Sequence, residues 1–141
     1  MSSRKDSLSS KVNFDLNHAE IHLPQTKRTP EIYFNKETGI LKISGRSMPN
    51  RTNDFYFPVL RHIEEYIKNP SKRTQVIFNL EYVDSASSKL LLSLLLRLKK
   101  VLPAYDLYIE WHYAEDDYDI LELGKTYSEI SQCDFEFVED E

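Results

Sequence analysis

The sequence predicts an α/β fold, in which one domain contains a mixed β-sheet with helices packed on it. Short runs rich in β-branched and aromatic residues alternate along the chain with longer segments of helical periodicity, as expected for strands connected by helices. The 141 residues match the size of a single domain. Hydrophobic residues make up 40% of the chain, which is enough for one packed core.

A β-hairpin is the first clear element. The runs Glu31–Asn35 and Gly39–Ser44 are rich in strand-forming residues, and residues 36–38 fit a short connection in which Gly39 supplies a permissive backbone position. Upstream, residues 12–23 alternate weakly between apolar and polar types, which favours an added strand. Residues 45–53 are rich in turn-forming types and predict a loop.

A helix is predicted next. Apolar residues recur at helical spacing between Phe55 and Ile67, and Thr52 or Asn53 is the expected N-cap. Pro58 fits only in or near the first turn, because proline lacks the backbone N–H that the helix interior uses. Asn69 and Pro70 end the helix.

The second half of the chain continues the alternation. The apolar run Thr74–Tyr82 predicts a strand at the centre of the sheet, and a leucine-rich helix with little polar face follows it, so this helix should be heavily buried. Pro103 ends that helix. The remaining elements are predicted as a strand at Asp106–Tyr113, a helix at Asp116–Ile130 and a strand at Phe135–Val138.

Charge and cysteine content narrow the class of protein. The net charge is −5, and residues 110–141 contain one basic and twelve acidic side chains, which disfavours a general nucleic-acid binder. The single cysteine, Cys133, allows no internal disulfide, and no signal peptide is recognised, so a cytoplasmic protein is expected. Residues 1–28 are predicted to form a partly disordered extension of a domain at 29–141.

The first candidate site is the strand-to-helix junction that begins at Asp84. A helix N-terminus has unpaired N–H groups and a partial positive charge, which favour an anion there. A phosphate on Ser85 would therefore be favourable within the chain, while it would add roughly −1.5 to −2 charges to any surface that docks on it. The alternative is that Asp84 or Ser85 merely caps the helix, a contribution of about 1 kcal/mol.

The second candidate site is the acidic stretch over residues 115–122, which contains Glu115, Asp116, Asp117, Asp119 and Glu122. These carboxylates could share a divalent cation or divide acid and base roles, as in a metal-dependent hydrolase. The alternative is that they stabilise the positive end of a helix dipole. We predict that the only tryptophan, Trp111, packs in the core rather than against a ligand.

Several stretches in succession carry a resemblance to a known family. They are Thr29–Phe34, Gly39–Ser47, Phe55–Pro58, Leu80–Tyr82 with Ser85 and Ser87–Lys89, Trp111–Tyr113 with Glu115–Asp117, Glu122–Gly124 and Phe135–Glu136. Together they make residues 29–139 resemble the SiaC family of bacterial regulatory phosphoproteins, whose fold is related to the STAS domains of anti-sigma-factor antagonists.

The resemblance implies a non-enzymatic switch with no cofactor. Members of this family are phosphorylated on a hydroxyl at the strand-to-helix turn by a cognate Ser/Thr kinase, and a PP2C-type phosphatase removes the phosphate. The unphosphorylated form binds and activates a diguanylate cyclase, so that phosphorylation controls cyclic-di-GMP synthesis and biofilm formation or aggregation.

The same resemblance places the phosphate acceptor of this chain at Ser85. We expect the surrounding junction to form the partner-binding surface, with neither nucleic acid nor a membrane as a partner. The predicted partner-binding residues are Arg46, Asp84, Ser87, Ser88 and Lys89.

Overall fold

The computed structural model describes residues 18–140, in which three helices cover one face of a six-stranded sheet. The strands are β1 (Glu20–Leu23), β2 (Glu31–Asn35), β3 (Ile40–Ser47), β4 (Thr74–Val83), β5 (Leu107–Ala114) and β6 (Phe135–Asp140). The helices are α1 (Thr52–Tyr66), α2 (Ser85–Val101) and α3 (Tyr118–Ser131), and a 3₁₀ turn spans Ala104–Asp106.

The sheet is mixed, as the sequence predicts. Its strand order is β1-β2-β3-β4-β5-β6, with antiparallel pairing from β1 to β3 and parallel pairing from β3 to β6. Each parallel pair is connected through a helix, because parallel neighbours need a crossover connection. The predicted central position of β4 is confirmed, since β4 has a parallel neighbour on each side.

The hairpin between β2 and β3 is confirmed. Asn35 pairs with Ile40, and the side chain of Asn35 accepts hydrogen bonds from the backbone N–H groups of Glu37 and Thr38 at 2.9 and 3.1 Å. Gly39 has a φ of +77°, a conformation that glycine adopts without strain.

Two predictions around the first helix are wrong. Strand β3 continues through Gly45 to Ser47, because a bulge between Gly45 and Arg46 lets it pair with the end of β4, so residues 45–47 are not loop. The N-cap of α1 is Arg51, whose side chain makes no capping hydrogen bond, rather than Thr52 or Asn53. Pro58 lies in the second turn of α1, where it is buried.

The described residues include part of the segment that we predict to be an extension. Strand β1 pairs with β2 along its four residues, so within residues 18–140 the predicted added strand is present at Glu20–Leu23. The predicted alternation over residues 12–17 lies outside the described part of the chain.

The core lies between the sheet and the helices. The alternate residues of β2, β3 and β4 are buried, while their neighbours on the other face stay partly exposed, so no helix of residues 18–140 covers that second face. Trp111 is fully buried and packs near the rings of Phe78, Tyr127 and Phe135, which confirms the prediction for this side chain.

The leucine-rich helix α2 is buried on one side. Leu91, Leu94, Leu95 and Leu98 are buried, whereas Leu96 is 40% exposed, so the expected burial holds for one face only. No helix within residues 18–140 is both long enough and apolar enough to cross a bilayer.

Candidate functional site

The junction between β4 and α2 is held by one aspartate. The backbone N–H of Asp84 donates to the Ser47 carbonyl at 2.9 Å, which ties the junction to the end of β3. The Asp84 carboxylate accepts a hydrogen bond from the Ser87 N–H at 2.8 Å and is the N-cap of α2. The capping role considered for Asp84 is therefore confirmed, and Ser85 follows it as the first residue of the helix.

The three serine side chains of this first turn have different surroundings. Ser85 is exposed, whereas Ser87 is fully buried. The Ser47 hydroxyl donates to the Ser87 hydroxyl at 2.7 Å and lies 2.7 Å from the Tyr56 hydroxyl of α1. The Ser87 hydroxyl is therefore part of a buried chain of three hydroxyls.

Ser88 is held by α3. The Tyr127 hydroxyl donates to the Ser88 carbonyl at 2.7 Å and also lies 3.0 Å from the Ser88 hydroxyl. Burial raises the pKa of both Tyr56 and Tyr127 to about 12, so both phenols keep their protons at neutral pH. Because the one proton of Tyr127 points to the carbonyl, the Ser88 hydroxyl donates to the phenol oxygen.

These contacts involve two of the predicted partner-binding residues, Ser87 and Ser88. Ser87 has no exposed surface with which to contact a partner, because the core surrounds it. Ser88 is partly buried, and its hydroxyl and carbonyl both bond to Tyr127. Ser87 thus fixes the start of α2 to the end of β3, and Ser88 fixes it to α3.

Two further predicted residues, Lys89 and Arg46, have solvent-accessible surface. Lys89 is exposed and follows Ser85 by four residues, which places both side chains on the same side of the helix. The Arg46 guanidinium lies 5.6 Å from the centre of the Tyr82 ring, and Arg46 and Tyr82 are paired across β3 and β4. The structure thus places Arg46 against Tyr82, near the end of β4.

Sequence reasoning did not assign Tyr82 to the site. Its ring is 45% exposed, and its neighbour Glu81 is exposed as well, so the regular burial of β4 ends before the junction. The available signal was the consecutive pair Glu81 and Tyr82, which interrupts the apolar alternation of the strand shortly before the capping aspartate.

The acidic stretch does not form a metal site. Asp117 is the N-cap of α3 and accepts a hydrogen bond from the Ile120 N–H at 3.1 Å, while Glu122 lies 3.5 Å from the Lys125 ammonium. Over residues 18–140, no three His, Cys, Asp or Glu side chains are grouped so that they could hold a metal ion. These interactions match the helix-stabilising alternative for the stretch.

The junction combines an aspartate-capped helix start with the exposed hydroxyl of Ser85 in a mixed α/β fold. The model of the SiaC family regulatory phosphoproteins matches residues 23–140. The chain belongs to this family.

Similar proteins come from Pseudomonas aeruginosa. An uncharacterized protein of strain UCBPP-PA14 is 23% identical over 120 residues, which cover 84% of this chain and 94% of that protein. The crystal structure of apo-SiaC matches with a TM-score of 0.74 and 23% identity, and covers 88% of this chain and 100% of that one.

A further solved structure is that of the diguanylate cyclase SiaD in complex with its activator SiaC. The match has a TM-score of 0.74 at 23% identity and covers 84% of this chain and 97% of the matched chain. At this identity, the two structural matches establish the shared fold.

Proposed function

We propose that this protein is a non-enzymatic, cytoplasmic regulator that is switched by reversible phosphorylation of Ser85. In its unphosphorylated form it binds and activates a diguanylate cyclase through the surface around Ser85, and so controls cyclic-di-GMP synthesis. A Ser/Thr kinase adds the phosphate and a PP2C-type phosphatase removes it. Membership of a family of regulatory phosphoproteins supports the switch, and the complex of SiaD with SiaC supports the choice of partner.

The observation that carries the proposal is the different accessibility of the three junction hydroxyls. Ser87 and Ser88 are bonded to core groups, and only Ser85 of the three is exposed. A kinase needs a hydroxyl that can enter its active site, and the surface position of Ser85 meets that condition. Ser85 follows exposed Tyr82 by three residues and precedes exposed Lys89 by four, so its modification would change a surface that a partner can contact.

The electrostatics of the junction fit a reversible modification. A phosphate on the first residue of α2 lies at the positive end of the helix dipole. Lys89 is in the i+4 position, from which its ammonium can pair with the phosphate. The modified chain therefore keeps its fold, while the docking surface gains roughly 1.5–2 negative charges.

The test combines phosphorylation with cyclase binding. The wild-type protein, Ser85→Ala and the control Ser93→Ala, which removes an exposed hydroxyl further along α2, are incubated with the candidate kinase and mapped by peptide mass spectrometry. We expect a phosphate in the wild type and in Ser93→Ala, and none in Ser85→Ala. Isothermal titration with the candidate cyclase should show that phosphorylation weakens binding by about a hundredfold, equivalent to about 3 kcal/mol.

The variants separate the two parts of the proposal. Unmodified Ser85→Ala should bind the cyclase with wild-type affinity even after incubation with the kinase, and Ser85→Asp should bind poorly. Phosphate on another residue would refute Ser85 as acceptor. Equal cyclase affinity of the phosphorylated and unphosphorylated proteins would refute the switch, even with Ser85 modified.

A further inference from the structure

A cleft lies at the end of the sheet opposite to Ser85. It has a volume of about 400 Å³, is open to solvent and is formed where β4, β5 and β6 begin. Ser85 follows the other end of β4, and the ten residues of β4 span about 33 Å. A phosphate at Ser85 is therefore far beyond contact distance from this cleft.

Two exposed tyrosines line the cleft. Tyr105 in the 3₁₀ turn is 78% exposed, and Tyr108 on β5 is 44% exposed. The Arg73 guanidinium lies 3.9 Å from the centre of the Tyr108 ring, so this surface already accommodates a cation against an aromatic face. Tyrosine and arginine are the residue types that contribute most to protein–protein interfaces.

The charge of the cleft indicates which partner fits it. Asp134 and Glu136 lie on its β6 side, both are exposed, and neither forms an ion pair with any residue in 18–140. Glu110 also lines the cleft, but it is bonded to Gln75 and His112. The cleft thus contains one basic side chain, Arg73, and three acidic ones, of which Asp134 and Glu136 form no ion pair within residues 18–140. Its net negative charge beside the exposed Tyr105 ring is complementary to an arginine or lysine side chain.

The outer edge of β6 is a second feature that fits an extended partner segment. It is the last strand of the sheet and pairs only with β5, so its outer backbone groups have no strand partner in the described part of the chain. An extended segment could pair with this edge while its basic side chains reach Asp134 and Glu136.

We propose that this cleft is a second docking surface, which binds a basic, extended segment of a protein partner whether or not Ser85 is phosphorylated. A partner held here would stay attached while the surface around Ser85 switches. The chemistry that selects the segment is one or two Arg or Lys side chains placed between Tyr105 and the carboxylates of Asp134 and Glu136.

The probe is a blocked peptide in which arginine alternates with serine, titrated into the full-length protein and followed by amide chemical shifts in NMR. We expect saturable shifts at the beginning of β5 and β6. The double substitution Tyr105→Ala/Glu136→Gln should weaken peptide binding by about tenfold. The control Asp116→Asn/Asp119→Asn removes two charges outside the cleft and should change the affinity less than about twofold.

Further outcomes decide between a docking surface and general attraction. Ser85→Asp should bind the peptide as the wild type does, so this result does not depend on the switch. Equal weakening by both double variants, or shifts spread over the acidic start of α3, would overturn the proposal in favour of unspecific charge attraction. The amide spectrum of each variant shows directly whether it is folded.

Discussion

Gly124 lies on the side of α3 that faces the Trp111 indole. A Cβ atom built on Gly124 would be 2.5 Å from Trp111 Nε1 and 2.6 Å from Trp111 Cδ1. The indole has no room to retreat, because its ring is fully buried and its Nε1–H donates to the Ile120 carbonyl at 2.9 Å. Glycine is therefore required here for close packing, although its backbone is helical.

We predict that Gly124→Ala lowers the free energy of unfolding. The added methyl group must displace the indole or α3, a change that costs about 1–3 kcal/mol and outweighs the better helix propensity of alanine. Urea unfolding followed by tryptophan fluorescence measures this difference. Thr126→Ala, at an exposed position two residues further on, is the control and should change stability by less than about 0.5 kcal/mol. Wild-type stability of Gly124→Ala would contradict the packing described for Trp111.

At the scale of the element, the start of α2 depends on Asp84. We predict that Asp84→Ala lowers the free energy of unfolding by about 1 kcal/mol, because the Ser87 N–H loses its acceptor. Asp84→Asn keeps an oxygen in the same place and should be close to the wild type. Thermal and urea unfolding of the three proteins measure the difference.

The comparison of the two Asp84 variants isolates the capping oxygen. If Asp84→Asn were as unstable as Asp84→Ala, the negative charge at the helix dipole would be responsible rather than the hydrogen bond. Circular dichroism should show the same helix content in all three proteins, because α2 is also held by Tyr56 through the buried hydroxyls and by Tyr127.

The sequence predicts the strands and helices well but not their ends. Periodicity is a local property, so the alternation of β4 and the leucine pattern of α2 are visible in the chain itself. The end of β3 is not, because its residues after Gly45 become a strand only by pairing with the extended end of β4. The N-cap of α1, Arg51, is equally hidden, since its side chain makes no capping hydrogen bond.

The sequence predicts where the candidate site lies, but it does not predict which of its serines are buried. Capping residues after a strand locate the junction and Asp84, and these are contiguous in the sequence. Ser87 and Ser88 differ from the exposed Ser85 because their hydroxyls bond to Ser47 and Tyr127. Ser47 is 40 residues from Ser87 in the sequence, and Tyr127 is 39 residues from Ser88. Contacts over such distances follow from the packed fold, and one sequence does not reveal them.

At the scale of the whole molecule, the two faces of the sheet and the ends of its strands have different roles. Its helix-covered face supplies the core, and the ends of its strands supply the junction at Ser85 and the cleft of Tyr105. The face that no helix of residues 18–140 covers carries polar side chains that connect strands directly. Gln75 of β4 donates to Glu110 of β5 at 2.9 Å, which extends this network towards β6.

His112 continues that network to the edge of the sheet. Its Nε2 lies 2.9 Å from Glu110 Oε1, and its Nδ1 lies 3.1 Å from Asp140 Oδ1 on β6. Both ring nitrogens can donate at once only in the protonated imidazolium, because neutral histidine has one N–H. Partial burial lowers the pKa of His112, but its hydrogen bonds to Glu110 and Asp140 and the charges of both carboxylates outweigh burial, so the pKa is raised.

The raised pKa of His112 gives the protein a predictable dependence of stability on pH. The unfolded chain has a histidine pKa near 6.5, so the stabilisation by His112 is fully present below that pH and is lost as pH rises through the higher pKa of the folded state. Urea unfolding at about pH 6 and about pH 8.5 should show a larger difference between the wild type and His112→Gln at the lower pH. Asp140→Asn should reduce this pH dependence without abolishing it, because Glu110 remains next to the ring. A difference between wild type and His112→Gln that is the same at both pH values would show that β6 is held to the sheet without the imidazolium.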